Sequence, residues 1–280
     1  MPVTDVMTAT EPLKGGDTLY RHRLSTRMWH WTNVVTFVIM FMSGLMIFNA
    51  HPSLYWGSYG ANPDYAWLQI GAENGAGYLR IGDLQVETTG LLGRWEDENG
   101  MVRNRAFPYW STIPRSYSLA EARRWHLTLA WVFSLGLMFY LIRSLWNRHL
   151  KRDLLPTRDE ATPRNIWQDV KDHTRLKFPR GAAARNYNIL QKLTYLAVLI
   201  VLIPGMILTG MTMSPNLNAS LSVLLDLFGG RQSARSLHFI FAWGLVAFIV
   251  VHLLMVILAG PINEVRSMIT GHYRLPKEKN

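Results

Sequence analysis

Four stretches of the chain lack Asp, Glu, Lys and Arg altogether: Met28 to Ala50, Trp125 to Ile142, Leu193 to Met213 and Ser236 to Asn263. A bilayer-spanning helix needs about 20 predominantly apolar residues, so each stretch is long enough to cross, the second only just. The pattern predicts an all-α membrane protein, a four-transmembrane-helix bundle with helices at about residues 28–50, 123–146, 189–213 and 235–260. Pro204 falls inside the third stretch, where neighbouring helices can satisfy the carbonyl it frees, so a kink is expected there and not a break.

The polar intervals are an N-terminal segment 1–27, a long insertion 51–122 between the first two helices, a loop 147–188 and a tail 264–280. Segment 1–27 has no apolar run followed by a small-residue cleavage site and is not read as a cleaved signal peptide. Within the insertion, Tyr78-Leu-Arg-Ile-Gly-Asp-Leu-Gln-Val-Glu87 alternates like a short strand, and Glu96-Asp-Glu-Asn-Gly100 reads as a turn. Its many Trp and Tyr residues suit a docking platform; a self-packed cap over the outer end of the bundle is the alternative.

Charge orients the bundle. The chain has a net charge of +10, and of its 29 basic residues, 4 precede Met28, 12 lie between Arg143 and Lys192, and 4 between Arg266 and Lys279. By the positive-inside rule these segments face the cytoplasm, with both termini. The insertion and the connection Ser214 to Arg235 then face the opposite, extracytoplasmic side, which is the periplasm if the membrane is a bacterial inner (plasma) membrane. This loop-by-loop distribution accounts for the charge without a nucleic-acid partner. The chain has no cysteine, which excludes disulfides, cysteine-held iron–sulfur clusters and covalently attached haem.

Four of the nine histidines lie in or at the edge of the spans: His30 in the first, His126 in the second, and His238 and His252 in the fourth. Ionisable groups inside a membrane are costly and usually face a partner in the bundle interior. With the first helix entering from the cytoplasm, depth pairs His30 with His252 near the inner surface and His126 with His238 near the outer one. His238 and His252 are separated by roughly 21 Å of helix rise and project from nearly one side. Two bis-histidine haems stacked across the bilayer fit, since each iron takes an axial nitrogen from either face. A zinc site wants three or four convergent ligands, which two separated pairs do not supply. Gly44, Gly136 and Gly244 offer room for a macrocycle, or ordinary close helix packing. Arg27, Arg123 and Arg235 each precede one of these histidines by three residues, on its helix face and nearer the surface. There a guanidinium can meet a haem propionate, although arginine also flanks membrane helices in general.

Arg27-Met-Trp-His30-Trp31, the His238/His252 spacing and Tyr187-Asn188-Ile189-Leu190-Gln191-Lys192 resemble the bacterial cytochrome b561-type family. Its members are the b-haem membrane subunits of formate dehydrogenase, nickel–iron hydrogenase and thiosulfate reductase. The resemblance covers all four helices. It implies two haem b groups, the cytoplasmic one on His30 and His252 and the periplasmic one on His126 and His238. It also implies an exchangeable menaquinone or ubiquinone beside the cytoplasmic haem, with Asn188 facing it; a helix N-cap is the other role open to Asn188. Leu190 stands where the family commonly has glycine, and the insertion is much longer than usual. The implied partner is a periplasmic molybdenum- or nickel–iron-type oxidoreductase, reached directly or through an iron–sulfur subunit.

With both axial positions filled there is no open iron site, so no catalytic residue is expected in this chain, which carries electrons and anchors its partner. A stand-alone quinol-oxidising cytochrome and a haem-free scaffold or transporter are the alternative readings.

Overall fold

The structure, a computed structural model, describes residues 16–148, 150, 154–175 and 188–275. His149, Tyr187, and parts of the N-terminal segment, the basic loop and the tail lie outside the described residues.

In chain order the elements begin with β1 (Thr18–Tyr20) and α1 (Leu24–Phe48). The insertion then carries β2 (Ser53–Leu54), β3 (Leu68–Glu73), β4 (Ala76–Ile81), β5 (Leu84–Glu87), β6 (Trp95–Glu96) and β7 (Val102–Arg103). After it come α2 (Leu119–Trp146), α3 (Pro163–Thr174), α4 (Ile189–Leu196), a π-helical stretch Ala197–Leu202, and α5 (Ile203–Met213). Two short helices, α6 (Pro215–Ser220) and α7 (Val223–Phe228), lead into α8 (Arg231–Ala259), α9 (Pro261–Thr270) and β8 (His272–Arg274).

Among the described residues, four helices are long and apolar enough to cross a membrane: α1, α2, the composite Ile189–Met213 and α8. Large apolar side chains such as Val35, Phe139, Val250 and Leu254 are exposed on them, as befits surfaces whose solvent is lipid. The first two helices begin earlier than the uncharged stretches. Leu24–Arg27 and Leu119–Arg124 stay helical because absence of charge marks the hydrocarbon core, not the hydrogen-bonded helix. Ser118-Leu-Ala-Glu121 starts α2 as a capping-box sequence, the Glu121 N–H donating to Ser118 Oγ at 3.4 Å. In the third span the irregularity expected at Pro204 appears as the π turn just before it, since proline cannot donate to the carbonyl one turn back.

The chain divides into two compact units, residues 1–29, 144–196 and 249–280 forming one, and residues 30–143 and 197–248 the other. In the first, β1 and β8 pair antiparallel, Leu19 opposite Tyr273. The Arg21 guanidinium lies over the Tyr273 ring at 4.6 Å and 3.6 Å from the Glu264 carboxylate. Burial raises the Glu264 pKa, partly opposed by Arg21.

The second unit contains the insertion, which carries more strands than the single one its alternation suggested. Four strands form a meander in the order β2-β3-β4-β5, and β6 and β7 form a separate hairpin. Tyr78–Glu87, expected as one strand, is two, because Gly82 adopts φ +58° and turns β4 back into β5. The turn at 96–100 forms as expected: Asp97 Oδ1 accepts from the Asn99 and Met101 N–H groups.

The insertion shares a core with the membrane helices. Leu45 and Phe48 of α1 pack with Leu54, Leu68, Ile70 and Phe107, and Phe239 of α8 lies against them. Buried Asn49 pins the Ala106–Phe107 turn, accepting from the Phe107 N–H at 2.7 Å and donating to its carbonyl at 3.0 Å. At the start of α8 the Gly57 carbonyl accepts from the N–H groups of Gln232 and Ser233, both at 3.1 Å, satisfying donors that a helix N-terminus leaves open. Gly230, at φ +110°, permits this approach: a Cβ there would sit 2.5 Å from the Gly57 oxygen. Trp67 Nε1 donates to Ser236 Oγ at 3.0 Å, which donates onward to the Tyr55 carbonyl at 2.6 Å.

Candidate haem-binding site

His126 and His238 each lie about two turns past the N-terminus of their helix, at matching depth. Their ring centroids are 6.2 Å apart and the planes are inclined at 59°.

Each imidazole is held by a neighbouring helix. On α1 the Met40 carbonyl is 3.0 Å and Ser43 Oγ 3.3 Å from His126 Nδ1. On α5 the Met206 carbonyl and Thr209 Oγ1 are each 3.1 Å from His238 Nδ1. A carbonyl can only accept, so each Nδ1 carries the ring proton and each Nε2 keeps its lone pair. That is the tautomer a metal-ligating histidine needs, with its other nitrogen oriented by an acceptor.

The spacing fits the group that the sequence implies. Two imidazoles sharing one metal ion through bonds of about 2 Å have ring centres on the order of 6 Å apart. Glycine follows each hydroxyl residue: a Cβ at Gly44 would meet His126 Cε1 at 3.4 Å, and one at Gly210 would meet His238 Cε1 at 3.3 Å. Gly244 instead admits Leu202, and Gly136 lies within α2. Among the described residues no cluster of three or more His, Asp or Glu side chains forms a separate metal centre.

The other predicted residues are distributed as follows. His30 is half-buried on α1, its ring edge-on to Trp31 at 5.2 Å; His252 is half-buried on α8. The two fall in different compact units. Arg27 donates to the Ile269 carbonyl. Arg123 is exposed in the second turn of α2. Arg235 donates to the carbonyls of Ser53, at 3.0 Å, and His51. Asn188 caps α4: its Oδ1 accepts from the Gln191 N–H at 2.9 Å while Gln191 Oε1 accepts from the Asn188 N–H at 3.3 Å, a reciprocal capping box. One turn on, buried Lys192 reaches both Glu160 oxygens at 2.9 and 3.0 Å. The Lys192 amine, joined by the Thr157 N–H, holds the Glu160 carboxyl below the usual range.

The profile of the prokaryotic cytochrome b561 family matches residues 21–271, nearly the whole chain. The chain belongs to the prokaryotic cytochrome b561 family. It is thus a membrane haem protein of electron transfer, and the cofactor that the family implies is haem b. This cytochrome b561 is 26% identical over 250 residues to a putative protein-methionine-sulfoxide reductase subunit YedZ1 from Azospira oryzae, a match spanning 88% of this chain and 93% of that one. No solved structure matches it.

Four residues of the site escaped the reading of histidines alone: Met40 and Ser43 on α1, Met206 and Thr209 on α5. Their signal is a repeated pattern. Met40-Phe-Met-Ser43-Gly44 and Met206-Ile-Leu-Thr209-Gly210 both read Met-x-x-Ser/Thr-Gly, in the spanning helices that precede those of His126 and His238 in sequence.

Proposed function

We propose that this cytochrome b561 is the di-haem membrane subunit of a quinone-linked oxidoreductase, carrying electrons between the quinone pool and a periplasmic catalytic subunit that it anchors. The observation that carries the reading is the His126/His238 pair, spaced for one shared iron with both Nδ1 protons directed away onto backbone carbonyls. Bound haem b supplies one-electron redox chemistry there; the chain's part is to hold two neutral imidazoles at fixed spacing away from water.

His30 and His252 are assigned to a second haem near the cytoplasmic surface, and Arg27, Arg123 and Arg235 to haem propionates. Arg27 and Arg235 hold backbone carbonyls already, so a propionate would share their guanidinium donors. Asn188 is assigned to a quinone beside the inner haem. With its Oδ1 engaged as a cap, the amide hydrogens make that contact. The pairing of β1 with β8 supports both termini lying on one side, and their basic flanks support the cytoplasm.

The relative's name gives direction to the proposal. A subunit serving reduction of protein-bound methionine sulfoxide delivers electrons outward, so quinol is the donor and the periplasmic partner a reductase. A molybdenum- or nickel–iron-type partner is the assignment, either docked directly or through an iron–sulfur subunit. Outward transfer of an electron runs with a negative-inside potential, at about 2.3 kcal/mol per 100 mV for a full crossing.

The test is stepwise reduction in membranes. With His252→Ala, quinol should no longer reduce the remaining haem. With His238→Ala, it should still reduce the inner haem while the partner stays oxidised. Normal quinol reduction of the His252→Ala protein would place the quinone site at the outer haem and remove the role given to Asn188.

A further inference from the structure

Ser43 and Thr209 belong to a class of residue usually given no special role, because a hydroxyl in a membrane helix routinely bonds back to a carbonyl one turn earlier. Both do so: Ser43 Oγ donates to the Met40 carbonyl at 3.0 Å, and Thr209 Oγ1 to the Gly205 carbonyl at 2.6 Å. Those bonds use each hydroxyl's proton. What remains toward the histidine is oxygen lone pairs, 3.3 Å from His126 Nδ1 and 3.1 Å from His238 Nδ1. Each ring N–H therefore faces two acceptors, a carbonyl and a hydroxyl oxygen. Ser43 and Thr209 are both fully buried, so no water competes. The same three-part cradle of Met carbonyl, hydroxyl and glycine is built twice, on different helices, and its copies meet different rings of one pair.

We propose that Ser43 and Thr209 are positioning residues that make the two axial imidazoles of the outer haem stronger electron donors and thereby lower its reduction potential. The proposal rests on the assignment of His126 and His238 to one haem. The physical cause is polarisation: an acceptor at Nδ1 draws the ring proton outward and raises the basicity of Nε2, which stabilises the ferric over the ferrous state. A hydrogen bond to the outer nitrogen of an iron-ligating imidazole is one of the few levers a protein has on haem potential, and in a dry interior each such bond acts at low dielectric. Because the hydroxyl proton is committed elsewhere, the side chain acts as an acceptor and not as a donor, which fixes the sign.

The test uses the full-length protein in detergent, with Ser43→Ala, Thr209→Val and the double variant, and Thr209→Ser as the conservative control. Two readouts are taken: haem content with the visible spectrum, and a redox titration of the outer haem backed by its ferric low-spin resonance. Haem content and the six-coordinate spectrum should be retained. Each single substitution should raise the outer midpoint by at least a threefold shift in the ferric-to-ferrous ratio at fixed potential, about 28 mV at 59 mV per tenfold for one electron. The double variant should add the two shifts, and Thr209→Ser should return to the parent value. A midpoint that stays put or falls, with haem intact, overturns the proposal. An outer haem absent from the parent protein overturns instead the assignment on which it rests.

Discussion

The imidazoles of His126 and His238 lie 6.2 Å apart, centroid to centroid, each with its Nδ1 on a backbone carbonyl of a helix other than its own. This pair joins the fold to its chemistry, since the carbonyls come from α1 and α5 and the rings from α2 and α8. The close approach depends on missing side chains. Gly210→Leu should displace the His238 ring, and a haem assay of the purified variant should find one haem lost and the inner one kept. Full haem content in Gly210→Leu would show that the ring has room to spare.

Asn49 tests whether the insertion is integral to the bundle. Its amide makes both bonds to Phe107, and Asn49→Ala would leave a buried N–H and carbonyl without their partner. Each such loss costs about 1–3 kcal/mol. The variant should unfold at a clearly lower temperature in a thermal melt followed by tryptophan fluorescence. An unchanged melt would mean that the insertion unfolds independently of the helices.

Two groups outside the spans give a pH dependence of definite sign. Burial, reinforced by the Arg235 guanidinium, holds the His51 imidazole below its ordinary 6.5, and Lys192 holds Glu160 below 4.5. In both cases the folded pKa lies under the unfolded one, so the stabilisation is present above the unfolded value and lost as pH falls through the folded value. Thermal stability should decline from about pH 6.5 downward, with a second decline in the acid carboxylate range. His51→Phe should flatten the first and Glu160→Gln the second; acid profiles that superimpose on the parent's would contradict the assignment.

A partner needs a surface, and the insertion provides aromatic side chains that its own core leaves out. Tyr59 is 88% exposed, Tyr65 70% and Trp110 61%. If they anchor the catalytic subunit, replacing all three by Ser should weaken its association at least about tenfold, roughly 1.4 kcal/mol, with haem content unchanged. The readout is co-purification of the catalytic subunit at defined detergent and salt. Retention at the parental level would assign docking elsewhere.

The four spans and the level of His126 and His238 were legible because membrane insertion writes itself in uncharged stretches and ionisable exceptions. Pro204 was legible as an irregularity, though not as a π turn. The insertion was harder to read: Tyr78–Glu87 alternates through a hairpin whose turn, Gly82-Asp83, is too short to interrupt the pattern. Asn188 had two readings by sequence, and Gln191 three residues later was the sign of the capping box. Ser43 and Thr209 were invisible individually, because a hydroxyl in an apolar helix says nothing about which ring lies beside it. Only the three-dimensional neighbour gives the repeated Met-x-x-Ser/Thr-Gly its meaning.

A pyridine haemochrome assay on the purified protein counts the non-covalent haem b groups that His30, His126, His238 and His252 are proposed to hold. Close to two haems per chain are expected, falling to one in His238→Ala and to one in His252→Ala. One haem or none in the parent protein would contradict the assignment.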